Sequence, residues 1–114
     1  WLSTTPRVRP IATAASIAHV EAVGLQPIAT GGIRHGLDIA RAISLGARAG
    51  GIARGVFQAF EQGAEQGAEA FLDRVEAQLR ATMLLVGAAN VSELRTAPRI
   101  VQGELRDWLK SPSY

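Results

Sequence analysis

The chain has 114 residues, 47% of them hydrophobic and 19% charged, so it falls in the ordinary globular range and supplies at most one small domain. Twelve Lys and Arg nearly balance ten Asp and Glu, and their scatter along the sequence argues against a nucleic-acid partner. The lack of cysteine excludes disulfides, thiolate chemistry and Cys-ligated metals; with no apolar run of membrane-spanning length, a soluble, cytoplasmic protein without a membrane partner is expected.

In chain order, residues 1–10, WLSTTPRVRP, carry no apolar period and read as a loose lead-in, with neither an initiator Met nor a signal-like core; the missing Met suggests a fragment or a processed product. Thr13 is placed to cap a helix running to about Val23, with Ile17 and Val20 on one face and Gly24 ending it. QPIAT is short, apolar and bounded by Pro27 and Gly31, which predicts a buried strand. Leu37 to Leu45 has apolar residues at Leu37, Ala40 and Ile43 before Gly46, which predicts a helix of three turns. AGGIA is then a second short strand, and the order strand, helix, strand predicts a parallel pair with a right-handed crossover.

Gly55 to Gln62 opens a further helix, and EQGAEQGA, Glu61 to Ala68, reads as a solvated break rather than a recognition tract. Beyond it Phe71, Leu72, Val75, Leu79, Met83 and Val86 recur at helical spacing over Glu69 to Val86, and such a stripe needs a partner surface. Asn90 and Glu93 have the spacing of a capping box, and Pro98 stops the short helix they open. Glu104 to Lys110 forms a last amphipathic piece with Leu105, Trp108 and Leu109 inward.

Two parallel strands among several helices do not make a domain, because parallel strands occur in larger sheets buried on both faces. Either the helices form a bundle and the strands are misread, or the chain is the end of a larger α/β protein whose other strands lie upstream. The second reading is preferred.

The stretch ATGGIRHGLDIARAISLGARAGGIARG, Ala29 to Gly55, contains two glycine pairs, each closely followed by an arginine. Gly31 and Gly32 after a strand allow a sharp turn and a close backbone approach to a ligand. The helix beginning near Gly36 directs its positive end to the same place, and Arg34 adds a two-pronged cation. Ala53 and Arg54 offer amides at the start of the next helix. In a closed parallel barrel these loops are neighbours that can share one phosphate group. Glycines also serve turns that bind nothing, and Arg34 could instead pair with Asp38. His19 and His35 read as a helix residue and a solvated loop residue, with no metal site and no catalytic constellation to join.

These residues resemble the flavin phosphate-binding end of FMN-dependent (β/α)8 barrels, a group that includes 2-hydroxy-acid oxidases. LRATMLLVGAANVSELRTAPRIVQGELRDWL, Leu79 to Leu109, is similar to the C-terminal region of the type 2, FMN-dependent isopentenyl-diphosphate delta-isomerases, and the likeness extends from Ile11 to Leu109. The resemblance implies that residues 11–114 are the C-terminal portion of a TIM (β/α)8 barrel whose whole chain interconverts isopentenyl and dimethylallyl diphosphate. It further implies reduced FMN as cofactor, NADPH as reductant, Mg2+ on the diphosphate and a homo-oligomer. Gly31, Gly32, Ile33 and Arg34 would hold the flavin phosphate from one loop, and Ala53 and Arg54 from the next.

Members of that family are much longer, and the segments bearing their substrate-binding His, flavin-facing Gln and metal-binding Glu precede this chain, so no catalytic or metal residue is assigned and the chain alone is expected to be inactive. PIAT replaces a Gly-Ile-Pro-Thr-like run, and Gly50 stands where a larger apolar residue is usual, an expected weakening of about 1 kcal/mol. Two other readings remain open at this point: a different FMN barrel such as a 2-hydroxy-acid oxidase, and a non-catalytic helical fragment that binds partners through the Glu69 to Val86 stripe.

Overall fold

In a computed structural model the described residues are 12–110; the lead-in predicted for residues 1–10 lies outside them. The elements in chain order are α1 (Thr13–Ala22), β1 (Ile28–Ala29), α2 (Gly36–Ser44), β2 (Ala49–Gly50), α3 (Arg54–Leu85), α4 (Val91–Thr96) and α5 (Gly103–Lys110). Both predicted strands form but are only two residues long, and they pair in parallel with Ile28 opposite Ala49 and Ala29 opposite Gly50; the first, expected to be buried, buries Ala29 and leaves Ile28 66% exposed. The bonds from Arg48 N to Pro27 O (2.8 Å) and Gly51 N to Ala29 O (2.7 Å) extend the ladder at both ends. Helix α2 is the crossover between them. The described residues thus hold a two-stranded sheet rather than a closed barrel.

Helix α2 carries the core, because its residues enter both hydrophobic clusters. Ala42 packs with Ile17 of α1, Ala29 of β1 and Ala47, while Ala40 and Ile43 pack with Ala88 and Leu94. Most buried residues are alanines, so elements approach closely and little apolar area is gained per contact. The closest approach of α2 to α3 is at Gly36, where an added Cβ would collide with the Val75 carbonyl oxygen and the Leu79 amide nitrogen. Gln78 Oε1 accepts the Gly36 amide at 2.9 Å across the same crossing. Gly50 has a comparable cause: a Cβ there would lie 2.7 Å from Ile39 Cγ1, so the side chain of α2 fills the space that a larger strand residue would take. The expected weakness of β2 at Gly50 is therefore offset by Ile39.

Helix α3 is interrupted within the predicted break, at Gly63 (φ −142°, ψ 18°) and Ala64 (φ 51°, ψ −144°). A continuous helix would separate residues 55 and 71 by about 24 Å. Instead Gly55 abuts the Phe71 ring and Gly67 abuts the Ala59 carbonyl, so the two segments run antiparallel as a helical hairpin. In the second segment Val75 is buried and Phe71, Leu79 and Met83 are half-buried, a stripe with a spacing of four. Leu72 and Val86, predicted to belong to it, are 49% and 47% exposed.

Other caps differ from expectation in informative ways. Thr13 does not cap α1: Ala12 occupies that position without a side-chain bond, and the Thr13 hydroxyl instead donates to Gly31 O at 2.9 Å. Asn90 Oδ1 accepts the Glu93 amide at 2.9 Å as predicted, while Glu93 returns to the amide of Ala89 rather than of Asn90, at 2.7 Å. Helix α5 lies on α1 with Leu105 and Trp108 half-buried, and a His19 ring nitrogen meets Trp108 O at 3.1 Å. Leu109, predicted inward, is exposed.

Two substitutions check this packing by urea denaturation. Gly36→Ala forces α2 from α3 and is expected to destabilise the chain by about 3 kcal/mol, as overpacking against rigid backbone does. Ala64→Gly is expected to stabilise it by about 1 kcal/mol despite the poor helix propensity of glycine, because Ala64 holds a positive φ that glycine adopts without strain.

Candidate functional site

The equal register of β1 and β2 brings their following loops out side by side. Gly31 and Gly32 have φ of 85° and 77°, values that a residue with a Cβ rarely adopts, and a Cβ at Gly32 would meet no atom within 4 Å, so open space faces this turn. The carbonyl of Gly31 and the amide of Gly32 belong to one peptide plane and point in opposite directions. Thr13 Oγ1 holds that carbonyl, which fixes the direction of the Gly32 N–H.

The loop is closed at its far end by Asp38, whose Oδ2 accepts the Arg34 amide at 3.0 Å. Asp38 does not pair with the Arg34 guanidinium; its carboxylate lies 3.7 Å from Arg41 Nη1 and 3.5 Å from His35 Nδ1. His35 is the N-cap residue of α2, its Nδ1 accepting the Asp38 amide at 3.4 Å, which gives a structural role to a residue read from sequence as a solvated loop histidine. The expectation that the positive end of α2 joins the anion site is not met. The amides of Gly36 and Asp38 are bound by Gln78 and His35, the Asp38 carboxylate sits in the first turn, and the start of α2 contributes nothing to the cleft. The start of α3 does contribute, since its first amides have no intrahelical acceptor.

The two loops share one cleft of about 670 Å³, lined by Thr30, Gly31, Gly32, Ile33, Arg34, Gly51, Ala53, Arg54, Gly55, Gln58 and Phe71. All six residues singled out from sequence are in it. The backbone amides of Gly31, Gly32, Ile33, Ala53, Arg54 and Gly55 donate no hydrogen bond to a described residue. No ion pair among the described residues engages Arg34 or Arg54, and no carboxylate lines the cleft. Free amides, two arginines and no acid among the described lining residues are the donor set that a compact dianion would need. No described residue lining the cleft carries a carboxylate or an imidazole, and no cluster of three or more metal-ligating side chains exists among the described residues.

Sequence reasoning missed Thr13, Gln58 and Phe71 as parts of this site. Thr13 carried a signal, a hydroxyl at a helix start, that was assigned to capping; Phe71 was legible only as one member of an apolar stripe. No helix of the described residues is long and apolar enough to cross a membrane.

The sequence profile of the FMN-dependent dehydrogenase family matches residues 7–101. Among curated relatives, the isopentenyl-diphosphate delta-isomerase of Metallosphaera sedula is 48% identical over 84 residues, covering 74% of this chain and 23% of that protein. The proteins of the same name from Symbiobacterium thermophilum and Thermococcus kodakarensis are 41% identical over 103 residues and 40% identical over 109. These matches cover 88% and 91% of this chain and 28% and 29% of those proteins. The chain thus spans about a quarter of the length of the relatives it matches, and over the span that carries both glycine-containing loops it belongs to the FMN-dependent dehydrogenase family.

Proposed function

We propose that this chain is the part of an isopentenyl-diphosphate delta-isomerase that holds the phosphate of FMN, within a (β/α)8 barrel completed by further strand and helix units. The observation that carries the reading is the single cleft shared by both loops, with free amides from each side and two unpaired arginines. A flavin phosphate fits this donor set: it is a dianion with three terminal oxygens, and amides can meet it without a Cβ intervening at Gly31 or Gly32. Gly31, Gly32 and Ile33 would donate from the first loop and Ala53 and Arg54 from the second, with the Arg34 and Arg54 guanidinium groups adding charge-assisted bonds.

When bound in reduced form, FMN would supply the proton exchange that moves the double bond between isopentenyl and dimethylallyl diphosphate. The role of these residues is to anchor and orient. A phosphate gripped from two strand ends leaves the rest of the cofactor little rotational freedom, so the reacting ring would be held at one depth. NADPH as reductant and Mg2+ on the substrate diphosphate complete the proposal, with their binding groups outside residues 12–110. A cytoplasmic homo-oligomer is also proposed. Support for the isomerase among FMN-dependent reactions is the shared name of the relatives together with the tail GELRDWL, Gly103 to Leu109.

Two measurements test this. Quenching of flavin fluorescence should report FMN binding by the chain, weakened about tenfold by Arg34→Ala, the loss of one charge-assisted bond. Thr13→Val, which releases the Gly31 carbonyl but touches no ligand, should weaken it about threefold, on the scale of one neutral hydrogen bond; equal affinity in all three proteins would remove the first loop from the site. Separately, residues 12–110 can replace the matching segment of the Metallosphaera sedula protein. A chimera that binds FMN yet fails to convert isopentenyl diphosphate under reducing conditions would reject the isomerase assignment.

A further inference from the structure

We propose that Phe71 is a positioning residue of the phosphate cleft, its ring returned to Gly55 by the helical hairpin so as to set where the first-turn amides of α3 stand. This rests on the phosphate reading above and adds a residue that neither loop contains.

Gly55 is a helical residue with no positive φ, so the backbone does not require glycine there, and glycine is among the poorest helix formers. The reason for it is contact. An added Cβ would lie 2.5 Å from Phe71 Cζ, 3.1 Å from Cε2 and 3.3 Å from Cε1, so the ring is seated flush against the backbone at the start of α3. Phe71 also lines the cleft, together with Gln58 and residues of both loops. The Arg74 guanidinium stands 6.0 Å from the ring centroid, backing it with a weak cation–π contact.

The ring is itself located by packing. Phe71 and Val75 are one turn apart on the same stripe, and Val75 is seated on α2 at Gly36. Both halves of the cleft are thereby referred to α2. The first loop runs into its N-terminus, and the second is placed by way of Gly36, Val75, Phe71 and Gly55. A shift of the ring moves the amides of Ala53, Arg54 and Gly55 against Gly31 and Gly32, and a dianion that needs both sets loses one.

The test is a size-exchange cycle on the full chain: wild type, Gly55→Ala, Phe71→Ala and Gly55→Ala/Phe71→Ala, with Phe71→Leu in reserve should the alanine variant not fold, as judged by circular dichroism. FMN and riboflavin, which differ by the phosphate, are titrated against each by flavin fluorescence. Gly55→Ala should weaken FMN about tenfold and leave riboflavin unchanged, and the double variant should recover most of the loss, because the methyl group enters the space the ring vacates. A Gly55→Ala protein that binds FMN as wild type does, or a double variant no better than Gly55→Ala, would overturn the positioning role. A wild-type chain with no preference for FMN over riboflavin would instead overturn the phosphate reading itself, and the two failures are separate readouts of one experiment.

Discussion

The in-register parallel pairing of Ile28–Ala29 with Ala49–Gly50 is the constraint from which the rest of the structure follows. Parallel strands must be joined by a crossover, and the connection here is α2. Because the strands end at the same level, the chain leaves both in the same direction, and two loops that are distant in sequence open into one cleft. A shift of one residue in that register would turn Ala29 out of the cluster with Ile17, Ala42 and Ala47 and would stagger the loops.

Small side chains make this arrangement feasible in so short a span. Ala40, Ala42, Ala47 and Ala88 let α3, α4 and the sheet crowd onto α2, and Gly36 lets α3 cross it at backbone distance. Such a core gains little from area, so hydrogen bonds between elements matter more than usual: Thr13 to the Gly31 carbonyl, Gln78 to the Gly36 amide, and Arg95 Nη2 to the Ala47 carbonyl at 3.4 Å. Ile28 at 66% exposed and Phe57 at 62% show where apolar surface remains uncovered by the described residues. That surface accords with membership in a family whose proteins extend well beyond the matched span.

Much of this was legible in the sequence, for identifiable reasons. The strands declared themselves through apolar runs bounded by Pro27 and the glycine pairs, α2 through its period and Gly46, and α4 through Asn90 and Glu93. That the six candidate residues would share one cleft was legible because strand, glycine pair and arginine recur in the same order. What was not legible depends on distance in sequence. Nothing local to Thr13 tells that its hydroxyl will hold a carbonyl at Gly31, and nothing local to Gly50 tells that Ile39 will fill its missing Cβ. The start of α2 was misjudged because Gln78, from another helix, takes the Gly36 amide. Leu72 and Val86 fit the helical period yet lie off the narrower stripe that the hairpin and α2 select.

The reversal at Gly63 and Ala64 has one more consequence. Residues 61–66 are exposed, and the helical segments on either side remain in contact through Gly55 with Phe71 and Gly67 with Ala59. The covalent link across the reversal is thus not what keeps the segments together. This position is suited to proteolytic nicking, to insertion of a reporter or to a new pair of termini, with the cleft left assembled.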